Sequence, residues 1–350
     1  MPKFAANLSF LFTELAFLDR FKAARDAGFQ AVEFMFPYDY GKEELVKQLH
    51  DNELALILHN LPAGNWAAGE RGIACHPNRV KEFREGVELG VQYAQALGVH
   101  QLNCLVGIQP TDRTFEQARE TLVGNLRFAA QTLGNAGIKL LIEPVNTIDI
   151  PGFFVATSKF GLELIDAAGT GNIGLQYDIY HMQVMEGNLA RTIESNLSRI
   201  FHIQVADNPG RHEPGTGEVN FPFLFGFIDR IGYTGWIGCE YKPSKDTVSS
   251  LGWLRGQTKI ALHKTLWQAS VSSVWELWER QWRLTCRKAV TNSSSIAVVA
   301  LKRKRCWREA EQNAARPLKL RKPPSSSSRW FQTRPMSKQF SLAKTAWLPG

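Results

Sequence analysis

Apolar residues along the first 255 positions alternate between two rhythms. Short runs at residues 4–8, 31–35, 54–59, 101–105, 139–143, 173–178, 200–206 and 236–241 predict eight strands. Between them lie longer amphipathic stretches, and residues 17–27, 79–97 and 115–133 repeat at helical spacing. In the last of these, Ala118, Leu122, Leu126 and Ala129 form one apolar stripe. Gly28, Gly98 and Gly137 fall just after the predicted helices, where a left-handed cap is least costly for glycine. Eight strands separated by helices in about 250 residues match an α/β fold of the (β/α)8 TIM-barrel type. A doubly wound sheet is the rival architecture. It usually carries a glycine-rich phosphate loop after the first strand, and Asn7-Leu8-Ser9-Phe10 is not one.

A barrel of this type builds its site at the C-terminal ends of its strands. Those ends read Asn7, Glu33, His59, Asn103, Glu143, Asp178, Gln204 and Glu240. The last four are the informative set, because they close four consecutive strands and so aim at one point. Three carboxylates and an amide oxygen converging in a cavity repel one another and raise one another's pKa. A divalent cation relieves that repulsion, and all-oxygen ligation favours a hard ion, Mg2+ or Mn2+, over zinc. The expected metal ligands are therefore Glu143, Asp178, Gln204 and Glu240. The competing expectation is that each caps a loop or pairs with a basic residue at the rim. His59, which ends the third strand, and His181, three residues after Asp178, are candidates to contact substrate. Arg71, flanked by Gly69-Glu70 and Gly72, and Arg211, in the loop after the seventh strand, are candidates to receive an anionic group.

Composition divides the chain in two. Residues 256–350 carry a net charge of +15 and seven of the ten tryptophans, whereas residues 1–255 carry −7. The overall charge of +8 therefore says nothing about the ligand of the first part. Neither a signal-peptide pattern nor an apolar run long enough to span a membrane is visible. The five cysteines are scattered and without metal-ligand spacing, so they read as reduced thiols in a cytoplasmic protein.

Seven segments carry a family resemblance: FMFPYDY (34–40), HNLPAGNWAAGERGIAC (59–75), NCLVG (103–107), IEPVN (142–146), QYDIYHMQ (176–183), ADNPGRHEPGTGE (206–218) and GWIGCEYKP (235–243). They resemble the hydroxypyruvate isomerase family, one of the xylose-isomerase-like barrels, from Met1 to about Trp253. The resemblance implies that Glu143 and Glu240 act as the acid/base pair and share the metal with Asp178 and Gln204. It implies interconversion of hydroxypyruvate and 2-hydroxy-3-oxopropanoate through an enediolate, with no organic cofactor. Substrate length is less firmly implied than reaction type, since related barrels isomerise larger 2-oxo sugar acids or epimerise ketoses. Another related barrel, the endonuclease IV type, uses a histidine-rich three-metal cluster. The strand ends here supply few histidines, and an acidic barrel is a poor surface for phosphates. A homodimer is compatible with an acidic barrel, although no segment specifies an interface.

Two domains are thus expected: a barrel over 1–255 and an atypical basic tail over 256–350. Trp267, Val271, Val274, Trp278 and Trp282 predict one helix near 260–290, followed by a disordered stretch with Ser293–295, the basic run 302–305 and Pro323-Pro324 before four serines. The basic run reads either as a nuclear-import or nucleic-acid patch, or as the product of an altered reading frame or unspliced message. The tail's lack of aspartate and abrupt onset favour the latter. Because the resemblance stops inside the expected eighth helix, exposed apolar surface there is expected to loosen the support of Glu240 and leave a poorly folded, inactive chain as an alternative outcome.

Overall fold

The computed structural model describes residues 2–256. Eight parallel strands pair in chain order: β1 (Lys3–Asn7), β2 (Ala31–Phe34), β3 (Ala55–Asn60), β4 (Gln101–Cys104), β5 (Lys139–Ile142), β6 (Ile173–Asp178), β7 (Ile200–Val205) and β8 (Trp236–Cys239). The last strand pairs back onto the first, and the sheet closes into a barrel. This is the (β/α)8 architecture the hydrophobic pattern predicts. Strand bounds differ from those of the pattern by two residues at most. The clearest differences are at the C-terminal ends, where Glu143 and Glu240 stand one residue beyond the ladders of β5 and β8.

The helices are α1 (Asp19–Asp26), α2 (Lys42–Asp51), α3 (Val80–Leu97), α4 (Phe115–Asn135), α5 (Ser158–Ala168), α6 (Ile179–Met185), α7 (Leu189–Ser195), α8 (Phe221–Arg230) and the single turn α9 (Thr247–Ser250). Helix α4 shows how the sequence writes one. Thr114 Oγ1 accepts from the backbone N–H of Gln117, and the Gln117 side chain accepts from the backbone N–H of Thr114. This capping box satisfies two donors that the first turn leaves open. The expected stripe, Ala118, Leu122, Leu126 and Ala129, is fully buried. Gly98 caps α3 with φ 68°, the left-handed conformation that a side chain disfavours.

Alternation along each strand sorts side chains into two layers. Outward-facing residues pack under the helices: Phe34, for example, meets Phe17 and Phe21 edge to face. Cys75, Cys104 and Cys239 are buried free thiols, as the scattered spacing predicts. Where the described chain ends, Trp253 packs against Phe4, Phe225 and Tyr241, and Leu254 is buried. Thr247 Oγ1 also accepts from the Phe12 backbone N–H at 2.6 Å. One short helix and the following 3-10 turn, Leu251–Gly256, therefore brace β1 and β8 beside Glu240. The helix expected near 260–290, the basic run 302–305 and the stretch beyond it lie outside the described residues. No described helix is long and apolar enough to cross a membrane.

Candidate active site

Inward-facing positions at the C-terminal half of the barrel are polar rather than apolar, and they form two tiers. Register pairs Asn7 with Glu33, Asp178 with Gln204, and, one step lower, Gln176 with His202. Gln204 in turn lies beside Gly238 of β8. Nearly every inward polar group in these tiers is bonded to another, because buried polar atoms without partners are costly.

The two glutamates are held alike. Glu143 Oε2 accepts from Asn103 Nδ2 at 2.9 Å and from Gln176 Nε2 at 2.8 Å. Glu240 Oε2 accepts from Asn7 Nδ2 at 3.0 Å and from Gln204 Nε2 at 2.7 Å. Each carboxylate thus has one oxygen pinned by two amides from neighbouring strands and its other oxygen, Oε1, facing groups of the site. Glu143 Oε1 lies 3.9 Å from His181 Nε2, and Glu240 Oε1 contacts the Arg211 guanidinium.

Asp178 stands between them. Its Oδ1 caps α6 by accepting from the Tyr180 backbone N–H at 2.8 Å. Its Oδ2 is buried without a hydrogen-bond partner, 3.6 Å from His181 Nε2 and 3.8 Å from an Arg211 terminal nitrogen. Burial raises all three carboxyls: Asp178 to about 6, Glu240 to about 8, and Glu143 well above its usual range, where Glu240 and Asp178 add to the rise. Arg211 offsets part of this. Burial works against its charge, yet Glu240, Asp178 and Glu143 hold its pKa above the ordinary value. Its guanidinium sits 4.7 Å from the Phe10 ring centroid and 5.3 Å from that of Tyr180. The loop that delivers it is built on Asp207, whose carboxylate accepts from the backbone N–H groups of Asn208, Gly215, Gly217 and Val219.

Glu143, Asp178 and His181 each bring a ligand atom within 4.8 Å of the others, a cluster that can hold a metal ion. The hydrogen bonds of His181 separate its role from that of the carboxylates. Asn146 Oδ1 accepts from the backbone N–H groups of Ile148 and Asp149, so Asn146 Nδ2 is the atom that donates to His181 Nδ1 at 2.7 Å. Burial, and then Arg211, hold the imidazole well below its usual pKa, so it is neutral. A neutral ring that accepts at Nδ1 carries its proton on Nε2. His181 therefore offers an N–H to this cluster, and the electron pairs for a cation come from oxygens. The unpartnered Asp178 Oδ2 and the Glu143 Oε1 left free by the two amides suit a hard divalent ion.

These groups open into a cavity of about 930 Å3 whose walls include Glu143, His181, Arg211, Glu240 and Arg71. Arg71 lies flat on Trp66, 4.1 Å from the ring centroid, and donates to the Trp66 and Glu70 carbonyls. Asp178 and Gln204 lie beneath this cavity. His59 is the candidate that the structure does not bring there. It pairs in register with outward-facing Phe34, its ring is edge-on to Tyr38, and it is absent from the cavity wall, which Asn60 lines instead. After a register shift between Val32 and Glu33, Leu58 pairs with inward Glu33 and His59 with outward Phe34, so Asn60, beside inward Asn103, is the residue that faces in. Gln176, His202 and Asn146 are the polar residues that the strand ends alone do not reveal. The first two stand two positions before Asp178 and Gln204, and a polar residue at that spacing is the readable sign of a second inward tier.

An eight-stranded parallel barrel with buried carboxylates and amides converging at its C-terminal end defines the class. Residues 21–257 match the xylose isomerase-like TIM barrel family, and the chain belongs to it. It is 54% identical over 254 residues to the hydroxypyruvate isomerase of Escherichia coli (strain K12), covering 73% of this chain and 98% of that one. It is 44% identical over 255 residues to the 2-oxo-tetronate isomerase of Cupriavidus necator, covering 73% and 98%. Among solved structures, one from Brucella melitensis described as an AP endonuclease, family 2, superposes with a TM-score of 0.72 at 42% identity, covering 73% of this chain and 99% of that one.

Proposed function

We propose that the chain is an isomerase that interconverts hydroxypyruvate and 2-hydroxy-3-oxopropanoate, with Glu143 and Glu240 as its acid/base pair. The observation that carries this reading is the matched pair of carboxylates, each with one oxygen pinned by two amides. Isomerisation moves one proton between adjacent carbons, which needs two such groups at fixed positions. One glutamate removes the C3 proton of hydroxypyruvate, the electron pair shifts to form the enediolate, and the other glutamate delivers a proton to C2. The remaining hydroxyl proton passes from the C3 oxygen to the C2 oxygen. No redox cofactor enters, because the substrate is oxidised at one carbon and reduced at its neighbour.

His181 Nε2–H faces the same space and donates to a substrate oxygen. Arg211 binds the substrate carboxylate, held flat by Phe10 and Tyr180. Arg71, on Trp66, provides a second cationic wall farther out. Glu143 and Asp178, with Gln204 and Glu240, are the residues that would hold a divalent cation, Mg2+ or Mn2+. Bound there, it would polarise the substrate oxygens and make the adjacent C–H more acidic.

The test is turnover of hydroxypyruvate after chelation, with and without added Mg2+ or Mn2+, by the parent and by Glu143→Gln and Glu240→Gln. Each substitution is expected to lower kcat by about 10²–10⁴-fold. In D2O, the variant lacking only the delivering group still exchanges the C3 hydrogens, which tells the two glutamates apart. Parent-like turnover by either variant overturns the acid/base assignment. A longer 2-oxo sugar acid is the second reading, favoured by the size of the cavity and the placement of Arg71 and Lys242 on its wall. A higher kcat/KM on a four-carbon 2-oxo acid than on hydroxypyruvate would establish it.

A further inference from the structure

Beneath the two glutamates lies a third carboxylate that takes no part in the proton transfer. Glu33, on β2, is fully buried. Its Oε1 accepts from Asn7 Nδ2 at 2.9 Å and from Gln204 Nε2 at 2.7 Å, and its Oε2 lies 2.7 Å from His202 Nε2. The space it fills is kept open by Gly238, where a Cβ would stand 2.2 Å from Glu33 Oε1. A glycine on β8 thus lets a side chain from β2 reach across β1 to the floor beneath Glu240.

Asn7 Oδ1 accepts from the Ser9 backbone N–H at 3.0 Å, so its NH2 is the group that meets Glu33, and carboxylate oxygens accept from such groups. Asn7 and Gln204 must therefore both turn their NH2 groups toward Glu33, and both NH2 groups also reach Glu240 Oε2. This fixes an otherwise ambiguous amide. With its nitrogen committed to Glu33 and Glu240, Gln204 must point Oε1 the other way, where it accepts from Gln176 Nε2 at 2.6 Å. Gln176 Nε2 is also bonded to Glu143 Oε2. One carboxylate on β2 thereby sets the direction of a chain of amides that ends on both acid/base glutamates.

We propose that Glu33, seated by Gly238 and paired with His202, is a positioning residue that acts through Gln204. It holds the Gln204 oxygen as an electron-pair donor and keeps Glu240 Oε2 pinned, so that Glu240 Oε1 alone is presented. This rests on the reading of Glu143, Asp178, Gln204 and Glu240 as the cation site. Groups that orient metal ligands without touching the metal are commonly worth a factor of about 10–100 in affinity or activity.

The experiment is a double-mutant cycle on the full chain, combining Glu33→Gln with Gln204→Leu. Two quantities are read: the Mn2+ dissociation constant by titration calorimetry and kcat on hydroxypyruvate. Glu33→Gln alone should raise the dissociation constant and lower kcat by about 10–100-fold each, with KM nearly unchanged. In the Gln204→Leu background its effect on either quantity should shrink to the part that Asn7 still carries, a few-fold at most, because the main residue it acts through is gone. Gly238→Ala, which leaves the carboxylate in the chain but pushes it from its seat, should reproduce the single variant and serves if Glu33→Gln fails to fold. Parent values in a folded Glu33→Gln or Gly238→Ala chain overturn the proposal, as does a full multiplicative effect on top of Gln204→Leu. A parent that turns over without a cation would sink the metal reading, while kcat in the cycle still decides the role of Glu33. A parent that binds Mn2+ but leaves hydroxypyruvate unchanged would sink the substrate, while the dissociation constant still decides it.

Discussion

The two halves of the barrel carry equally polar strand ends and use them differently. In the second half, Glu143, Asp178 and Glu240 present oxygens that are pinned on one side only or not at all. In the first half, Asn7 and Asn103 supply N–H groups to those oxygens, Glu33 sits below, and His59 turns away to pack on Tyr38. On the proposed reading the reacting carboxylates lie on one arc, and part of their support comes from the other. Polar character at a strand end is therefore weak evidence of a catalytic role until its hydrogen-bond direction is known.

Substitutions can test that division. In the second half, Asp178→Asn should abolish the response of turnover to added Mn2+ and leave activity at the level of the chelated parent. Retained metal activation would move the site away from Asp178. In the first half, Asn103→Leu and Asn7→Leu should each lower kcat by about 10–100-fold while KM holds, since each removes one of the two amides that pin a glutamate oxygen. A shift in KM alone would instead make these amides substrate contacts.

His59 gives a smaller, pH-dependent effect. Burial lowers its pKa to about 4 from an ordinary value of 6.5, so the unfolded chain binds its proton first. Stability should fall as pH drops from about 6.5 toward 4, by up to about 3 kcal/mol at the lower end. His59→Leu should remove that part of the pH slope in denaturant titrations and change kcat by no more than about threefold. A tenfold loss of kcat would return the residue to the reaction. Smallest of all, Thr114→Ala should lower stability by about 1 kcal/mol through the lost cap of α4 and leave turnover untouched.

Much of this was readable from residue order. The alternation of runs gave the barrel, and Glu143, Asp178, Gln204 and Glu240 stood out because four consecutive strands end on oxygen-bearing side chains. What residue order hides is facing. A register shift between β2 and β3 pairs His59 with outward Phe34, and that shift is invisible in the order of residues. Gln176 and His202 lie inside strands, where a lone polar residue looks like a register error until its partner two positions on is noticed. The proton on His181 Nε2 depends on Asn146, 35 residues away, through a contact that only the fold creates. Near the end of the described chain, Trp253 of the 3-10 turn after α9 packs on Phe4, Phe225 and Tyr241, contacts between distant segments that residue order does not display.

Asp207 holds its loop through main-chain N–H groups alone. To this frame the His212 ring adds a bond to the Lys242 carbonyl and Thr216 Oγ1 one to the Glu213 carbonyl, so residues 208–219 hold their shape from one buried carboxylate and a few ties at the edge. The loop residues that reach the cavity wall beside Arg211 are Asn208, Pro209, Gly210 and Glu218, so changes there can alter substrate preference while Asp207 keeps the loop's form. A barrel built this way separates what it must keep from what it can vary, and directed evolution toward longer 2-oxo acids has its natural starting library in that loop.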